Sequence, residues 1–545
     1  MSISRSRGAA RAVTEAKAMS MATSPTDPIP NSTVPAASVA AWRDRKRYLW
    51  LLGLVVPVLG ILIVGVYAVA GWHWVLWAGP IVILGVVPAI DLSTGLDRSN
   101  PPDDMIERLE KDRYYRWITF AYLPIQYAAL VAVCAMIAGV NPIAWTADLL
   151  GVADWLAAHV SADLVRDFDL TTLDKVAVAI SVGCIGGIGI NTAHELGHKR
   201  EANERWLSKI ALAQSGYGHF YIEHNRGHHV RVATPEDPAS SRLGETFYEF
   251  WPRTVAGSLR SAWRLEKRRY ARKGTHPFHL GNDVLNAWLM SAVLFGALIA
   301  LFGWQIAPYL AVQAVVGFSL LEVVNYLEHY GMLRQKVGVG ERQRYERVDP
   351  SHSWNSNNIA TNVLLYHLQR HSDHHANPTR RYQTLRDFEE SPVLPTGYAG
   401  MILLALVPPL WRRVMDPRVV AHYGGDVSLA NLQPRTRERY LRKYAAAPVA
   451  DVPPVVEVRG APAQSGPVVE VRAKRASKPP TEPPADEVLA ARCPGCGYTY
   501  EVEAGNELEG FAAGTAWADI PDDWCCPDCG VREKADFVPV DRLEV

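Results

Sequence analysis

Nine of the chain's 17 histidines lie in four short clusters. They are His194, His198, His224, His228, His229, His329, His371, His374 and His375. Residues four apart share one face of a helix, so His194 and His198, and likewise His224 and His228, can direct pairs of imidazoles at one point. Imidazole is a good ligand for iron, zinc and copper. Nine clustered histidines exceed one octahedral coordination sphere, which predicts a site for two metal ions.

A second set of metal-binding side chains lies near the C-terminus. It consists of two CxxC motifs with the cysteines Cys493, Cys496, Cys526 and Cys529. Four thiolates brought together form a tetrahedral site that suits zinc or iron, and the spacing alone does not choose between them. We interpret Cys525, directly before Cys526, as a non-ligand. Cys134 and Cys184 lie in apolar runs and are expected to be small buried residues.

The residues around these cysteines resemble rubredoxin, the one-iron electron carrier. The resemblance rests on two Cys-Pro-x-Cys-Gly motifs and on Tyr498, Trp517, Trp524 and Phe537. It implies one iron held by the four cysteines. The alternative is a zinc ribbon that binds nucleic acid or a partner protein. In 491–545 there are 12 acidic and 4 basic residues, a net charge of −8 that argues against nucleic acid as a partner.

The elements that must position the histidines are six apolar runs, each close to the roughly 20 residues that a membrane-spanning helix needs. They are Tyr48–Ala70, His73–Ile90, Trp117–Val140, Val176–Asn191, Val284–Trp304 and Ile306–Val324. The fourth run ends at the His194 cluster and the sixth at His329. Since these ends are two spans apart, both emerge on the same side of the membrane.

The distribution of basic residues predicts the orientation of these spans. Arg166 is the only basic residue in Asn141–Thr172, whereas Arg43–Arg47, Arg108–Arg116 and His198–Lys273 are basic. By the positive-inside rule both termini and the histidine clusters face the cytoplasm, in a bacterial-type inner (plasma) membrane. The expected fold is mostly α, a six-span transmembrane bundle with a cytoplasmic histidine-rich site, plus a small C-terminal domain with short β strands.

Composition predicts four segments along the chain. They are a disordered arm over 1–40, the transmembrane domain over 41–446, a Pro/Ala/Val-rich linker over 447–490 and the small domain over 491–545. The whole chain has zero formal charge, so the −8 of the last segment leaves +8 on the rest. We expect weak, salt-sensitive docking of this segment onto Lys199, Arg200, Arg380 and Arg381, and its release for each new reduction.

The histidine motifs resemble those of the integral-membrane non-haem diiron superfamily of desaturases and hydroxylases. Within it, NYLEHYG around His329 and LQRHSDHH around His371 are similar to the membrane-bound alkane 1-monooxygenases, and the likeness spans roughly Tyr48–Pro417. The resemblance implies that all nine clustered histidines bind two irons. His219, His352 and His367 fall outside the ligand pattern and are expected to be structural.

The resemblance also implies a reaction. A linear alkane entering from the lipid is hydroxylated at its terminal carbon with O₂ as co-substrate. Electrons come from NAD(P)H through a separate reductase and the fused rubredoxin, because the chain has no Rossmann GxGxxG motif of its own. Each imidazole that binds a metal also needs a hydrogen-bond acceptor for its other nitrogen. The candidate acceptors are Glu195, Glu223, Glu236, Asp237, Glu328 and Asp373. Trp72, Trp74, Trp77 and Trp117 are candidates for closing the substrate channel.

Two alternative functions remain open on the sequence. One is a fatty-acid desaturase or ω-hydroxylase on the same diiron scaffold, which the products would distinguish. The other is a non-catalytic iron or redox sensor in the membrane, which would show no substrate-dependent uptake of oxygen.

Overall fold

The computed structural model describes residues 42–160, 167–338, 343–445 and 488–540. The predicted arm over 1–40 and nearly all of the predicted linker over 447–490 lie outside these ranges. Six helices are long and apolar enough to cross a membrane, which confirms the six predicted spans. They are Leu49–Ala70, His73–Thr94, Arg113–Ile137, Thr172–Gly197, Asp283–Phe302 and Trp304–Glu328.

Polar caps begin several of these spans. The hydroxyl of Thr171 and the carboxylate of Asp174 form a reciprocal capping box at the start of the fourth span. Asp112 caps the third span and Asn282 the fifth, each accepting hydrogen bonds from backbone N–H groups of the first turn. These caps satisfy backbone donors that a helix leaves unpaired at its N-terminus.

The fourth span packs closely against the sixth. An ideal Cβ built at Gly183 would lie 2.7 Å from the Cβ of Val316, and one at Gly187 would lie 2.8 Å from the Cβ of Leu320. Two glycines four residues apart therefore form a groove that admits the sixth span, as small residues do in membrane helices. This packing brings the two histidine-bearing helix ends together.

Further helices complete the transmembrane domain. They are Asp103–Lys111, Pro142–Leu149, Ala153–His159, Ala202–Ala213, Phe220–Glu223, His229–Arg231, Phe247–Arg272, Ile359–Leu364, His371–Ala376, Tyr398–Ala405, Pro408–His422 and Arg437–Tyr444. A π-helical turn covers His224–His228, and another, Val82–Val86, lies within the second span.

The described strands are short. β1 (Lys336–Val337) pairs with β2 (Arg344–Tyr345), and the C-terminal domain holds β3 (Ala490–Arg492), β4 (Thr499–Glu501) and β5 (Val538–Pro539). Its antiparallel sheet has the order β4-β3-β5, with Ala491 opposite Tyr500 and Pro539. Aromatic side chains fill the small core behind this sheet, and the rings of Trp524 and Phe537 lie 5.4 Å apart.

Candidate metal centres

Five histidines form one buried group in which all candidate ligand atoms lie within 4.8 Å of one another. The members are His194, His198, His224, His229 and His374. The Nε2 atom of His374 lies 2.9 Å from that of His194 and 3.1 Å from that of His229. The fourth span, the π-helical turn and the helix His371–Ala376 thus direct imidazoles at one point.

The other four clustered histidines form a second buried group within the same distance limit, consisting of His228, His329, His371 and His375. The Nε2 atoms of His371 and His375 are 2.9 Å apart, and those of His371 and His329 are 3.3 Å apart. The two groups are neighbours, since the rings of His229 and His375 are centred 4.4 Å apart. All nine histidines singled out in the sequence therefore meet at one place, in two sets.

The predicted pairing of His224 with His228 is wrong, because each belongs to a different group. The chain over His224–His228 is π-helical, so residues five apart rather than four apart lie one above the other. His224 consequently faces His229, with Nε2 atoms 3.1 Å apart, and His228 turns towards the second group. Four-residue spacing holds at His194/His198 and at His371/His375, where no such turn intervenes.

Both groups fit a bound metal ion. Nitrogen ligands about 2.1 Å from a metal lie about 3 Å apart when they occupy adjacent coordination positions. The Nε2 separations of 2.9 to 3.3 Å match that value. Burial lowers the pKa of His198, His224, His229 and His375 well below the usual value, so these rings are neutral and could each offer a nitrogen lone pair to a metal ion. The buried Nε2 atoms of His198 and His228 have no hydrogen-bond partner among the described residues.

Of the six candidate carboxylates, all of which lie in the described residues, Asp237 alone contacts the nitrogen of a clustered imidazole that faces away from the metal position. Its Oδ2 lies 2.8 Å from Nδ1 of His228, which leaves Nε2 of that ring free to face a metal. Although burial opposes ionisation, His228 and Ser240 hold the pKa of Asp237 well below its usual range. Glu328 also meets an imidazole, but at Nε2 of His371, 3.3 Å away, on the side that faces the metal position.

The other four carboxylates have different partners in the described structure. Glu195 pairs with Lys199, Glu223 with Arg231, Glu236 with the hydroxyl of Tyr345, and Asp373 with Arg380 and Asn377. Burial raises the pKa of Glu223 to about 8 although Arg231 opposes the shift. Among described residues, these four side chains therefore brace the scaffold rather than the imidazoles.

A narrow apolar cavity ends on the histidines. Its walls come from the second, fourth and sixth spans and from Thr361–Leu368 and Tyr398–Ile402, and include Ile83, Val87, Leu320 and Val324. His194 and His224 of the five-histidine group and His371 of the other line its inner end, beside Glu328. Periodicity could not reveal this cavity, because its residues come from distant parts of the chain. The four candidate tryptophans are not among its described lining residues, which corrects that expectation.

The four predicted cysteines form the third group, with all sulfur atoms within 4.8 Å of one another. Sγ of Cys493 lies 3.8 Å from that of Cys529, and Cys496 lies 3.5 Å from Cys526. Sulfur atoms about 2.3 Å from a central metal are about 3.8 Å apart in a tetrahedron, so the set fits one ion. Cys525 lies outside the group with Sγ near the carbonyl of Asp523, and burial raises the pKa of its thiol.

Comparison with known proteins agrees with this geometry. The family model "Fatty acid desaturase" matches residues 175–405 and the family model "Rubredoxin" matches residues 490–537. An alkane 1-monooxygenase of Acinetobacter baylyi is 46% identical over 74% of this chain and 91% of its own length. Relatives of the same name from Alcanivorax borkumensis and Ectopseudomonas oleovorans are 44% and 42% identical, covering 92% and 94% of their own lengths.

The chain belongs to the alkane 1-monooxygenase family. It is a multi-pass membrane protein with a histidine-rich diiron-type site and a C-terminal rubredoxin domain with a four-cysteine cluster. The resemblances to the diiron alkane hydroxylases and to rubredoxin are thereby confirmed. The zinc-ribbon interpretation of the C-terminal domain is set aside, because the rubredoxin family matches nearly all of it.

In this alkane 1-monooxygenase family member, arginines of the transmembrane domain meet carboxylates of the rubredoxin domain. Glu509 is 5% exposed and lies between Arg226, at 2.9 Å, and Arg272, at 3.2 Å. The remaining pairs are Arg200–Asp528 at 3.6 Å, Arg268–Asp523 at 3.9 Å and Arg347–Asp536. The opposite net charges of the two domains are therefore matched by local ion pairs between arginines of one and carboxylates of the other.

Of the four basic residues expected to dock the rubredoxin domain, Arg200 alone pairs with a described residue of that domain. Lys199 is buried against Glu195, Arg380 pairs with Asp373, and Arg381 pairs with Glu201 and Glu204. Net charge indicated that the domains attract, but which arginines reach the surface depends on their neighbours in the tertiary structure. Arg226 and Arg272, the partners of Glu509, were missed by the sequence reasoning.

The two domains also approach each other closely at Gly530, the residue after Cys529. A Cβ at this position would collide with the carbonyl oxygen of Asn225. Asn225 directly follows His224, so one backbone contact separates the cysteine cluster from a residue bonded to a clustered histidine.

His352 and His367 lie outside the metal groups: His352 contacts Glu346, and His367 contacts Lys46 and the carbonyl of Tyr382.

Proposed function

We propose that this chain hydroxylates the terminal carbon of linear alkanes, with the nine clustered histidines holding two irons and Cys493, Cys496, Cys526 and Cys529 holding a third. The observation that carries this proposal is the apolar cavity whose inner end is lined by histidines of both groups. The similarity to alkane 1-monooxygenases supports the same reaction. The overall balance is one alkane, one O₂, two electrons and two protons giving one alcohol and one water.

When bound, the two irons supply the O₂ chemistry that side chains cannot provide for an unactivated C–H bond. The chain's own residues do the remaining work. Ile83, Val87, Leu320 and Val324 hold the hydrocarbon and exclude water along the cavity. Asp237 orients His228, and Glu328 places a carboxyl group at the inner end of the cavity, where it can take up or release a proton.

The cavity walls favour an alkane over a fatty acid. Among the described residues that line the cavity, none is lysine or arginine, so no lining side chain pairs with a carboxylate headgroup. An apolar substrate dissolved in the bilayer would enter among the spans without crossing water. This difference supports alkane hydroxylation over the fatty-acid desaturase or ω-hydroxylase alternative.

We also propose that electrons come from a separate NAD(P)H-dependent reductase and pass through the rubredoxin domain one at a time. The contact between Gly530, next to Cys529, and the carbonyl of Asn225, next to His224, supports this path. The basic flanks of the spans support a bacterial plasma membrane location with both termini and the histidine face in the cytoplasm.

The test is product analysis of the purified, iron-loaded chain with NADH and a rubredoxin reductase. We expect a 1-alkanol from a linear alkane, three irons per chain and oxygen uptake that depends on substrate. A fatty acid of the same carbon number is the matched control and should give little product. Desaturated or ω-hydroxylated fatty acid as the main product would contradict the proposal, as would zinc in the rubredoxin domain or uptake of oxygen that ignores substrate.

A further inference from the structure

The rubredoxin domain has two similar cysteine loops that differ sharply in exposure. The first knuckle is Cys493–Gly497 and the second knuckle is Cys526–Gly530, both with the pattern Cys-Pro-x-Cys-Gly. Both final glycines have positive φ, 77° at Gly497 and 65° at Gly530. The two loops therefore have similar local backbone requirements, and they can be compared position by position.

The second knuckle is covered by the transmembrane domain. Gly530 and Cys529 are buried, and Gly530 meets the carbonyl oxygen of Asn225. Asp528 of the same loop pairs with Arg200 at 3.6 Å, and burial raises the pKa of its carboxyl although Arg200 opposes the shift. This knuckle is therefore in use as the contact with the diiron domain.

The first knuckle remains open in the same arrangement. Pro494, Gly495 and Gly497 are exposed, and Cys496 is half-buried. Among the described residues, no heavy atom lies within 4 Å of a Cβ placed at Gly497, in contrast to one at Gly530. The side chain of Arg532 lies beside Gly495, with Nε 3.1 Å from the position of a Cβ there, so the first knuckle presents small residues next to one basic side chain. The small, exposed residues around Cys496 allow close approach of another protein to a cysteine sulfur.

We propose that the first knuckle is the docking surface for the electron-donating reductase, and that the reductase reduces the rubredoxin domain while it stays bound to the transmembrane domain. This inference rests on the proposed function and deepens it. Each hydroxylation needs two electrons, whereas a one-iron site carries one at a time. The reductase loses one electron and the four-cysteine site gains it through the first knuckle. The same electron leaves through the second knuckle, twice per O₂.

The opposite charges of the two domains predicted that the rubredoxin domain is released for each new reduction. With separate faces for its two partners, this release is not needed. A domain with a single contact face must leave one partner to meet the other. Here the entry and exit faces belong to different loops, and the ion pairs around Glu509 can persist through both transfers. Reduction of the docked domain therefore distinguishes the two schemes.

The decisive experiment locks the two domains together. Arg268 and Asp523 are both exposed and their side chains lie 3.9 Å apart, so an Arg268→Lys variant can be joined there by a carbodiimide and the joined peptides identified by mass spectrometry. Stopped-flow bleaching of the ferric rubredoxin absorbance, with NADH and a purified rubredoxin reductase but no alkane, gives the reduction rate. The unlinked Arg268→Lys chain is the control.

We expect the linked chain to be reduced about as fast as the unlinked one. Association rates at one interface vary over one to three decades among variants. Reduction of the linked chain that is more than about tenfold slower than that of the unlinked chain would therefore overturn the proposal. Because no alkane is present, this outcome is independent of which substrate the diiron domain takes.

Matched substitutions in the two knuckles provide a second test. Pro494→Glu places a charge on the exposed loop, and Pro527→Glu places the same charge at the equivalent position of the covered loop. We expect Pro494→Glu to weaken binding of the reductase, measured by biolayer interferometry on the detergent-solubilised chain, by about tenfold. Pro527→Glu should leave that binding unchanged. Equal effects, no effect of either, or the reverse order would refute the assignment, and an unaltered visible spectrum verifies the iron site in both variants.

Discussion

At the scale of single residues, the metal site depends on which nitrogen of each imidazole is hydrogen-bonded to another side chain and which nitrogen is left for the metal. Asp237 contacts Nδ1 of His228 and so presents Nε2 to the second histidine group. Such a partner fixes the ring orientation and makes the ligand more basic. Glu236, its neighbour in sequence, points instead to the hydroxyl of Tyr345 at the surface. Two adjacent acidic residues thus have entirely different roles.

Replacing Asp237 with asparagine should therefore weaken iron binding in the four-histidine group. Loss of an outer-shell partner typically lowers metal affinity by about 10- to 100-fold. The measurement is iron content after dialysis against a chelator, followed by alkane turnover. The control Glu236→Gln should keep its iron. Equal iron loss in both variants would show that iron binding depends on the negative charge of this region rather than on the contact between Asp237 and His228.

Leu320 is expected to set the length of hydrocarbon that the cavity admits. It lines the cavity, and its Cβ approaches the position of a Cβ at Gly187. Leu320→Ala should shift relative kcat/KM towards longer alkanes, since each added buried methylene contributes about 0.8 kcal/mol, or about fourfold. Leu289→Ala, at a position 49% exposed on the fifth span, is the control. An unchanged chain-length profile in the Leu320 variant would place the limiting residue elsewhere.

At the scale of secondary structure, the π-helical turn His224–His228 divides the histidines between two centres. Its extra residue aligns His224 with His229 and turns His228 away. A Cβ at Gly227, inside this turn, would lie 2.5 Å from Oε2 of Glu223 and 2.7 Å from the guanidinium of Arg231, so a larger residue there must displace this ion pair. The turn thus packs against the Glu223–Arg231 ion pair.

A Gly227→Ala substitution should disturb this turn and both histidine groups. Overpacking of a well-packed site typically costs about 1–3 kcal/mol, so we expect a lower thermal midpoint and partial loss of iron. Gly85→Ala is the matched control, since Gly85 lies in the other π-helical turn and a Cβ there meets nothing within 4 Å. Similar losses in both variants would mean that alanine disfavours the π turn itself.

At the scale of the whole molecule, covalent fusion compensates for a weak electrostatic contact. Among the described ion pairs between the domains, the carboxylates of Glu509 and Asp536 are buried, and the other side chains are partly or largely exposed. Exposed pairs contribute little individually and are screened beyond about 8 Å at physiological salt. A tether raises the effective concentration of the rubredoxin domain to the order of mM without any new contact.

Removal of residues 491–545 should therefore stop turnover until free rubredoxin is supplied at a comparable concentration. Turnover is measured with NADH and reductase against added rubredoxin. The intact chain, which should respond little to added rubredoxin, is the control. Full activity of the truncated chain without rubredoxin would contradict electron delivery through this domain.

Ionic strength should affect the split pair more than the fused chain. Screening weakens the arginine–carboxylate contacts in both, but only the fused chain keeps its high effective concentration. We expect half-maximal rubredoxin concentration to rise with salt in the split system. A Glu509→Gln variant of the free rubredoxin should have a higher half-maximal concentration at low salt. Equal salt dependence of fused and split systems, or none in either, would refute docking by charge.

The sequence by itself determined the components of this protein. Long apolar runs must become spanning helices because a bilayer satisfies no backbone polar group, so six spans follow from composition alone. The nine histidines and four cysteines are recognisable by type and spacing, and all of them converge in the structure.

Only the tertiary structure decided how these components divide. The split of five and four histidines depends on one extra residue in a π-helical turn, which no spacing rule for α-helices predicts. The choice of Asp237 among six carboxylates, the apolar cavity and the arginines that reach the rubredoxin domain depend on contacts between residues far apart in sequence. Such contacts are set by the packing of whole helices, and local periodicity carries no information about them.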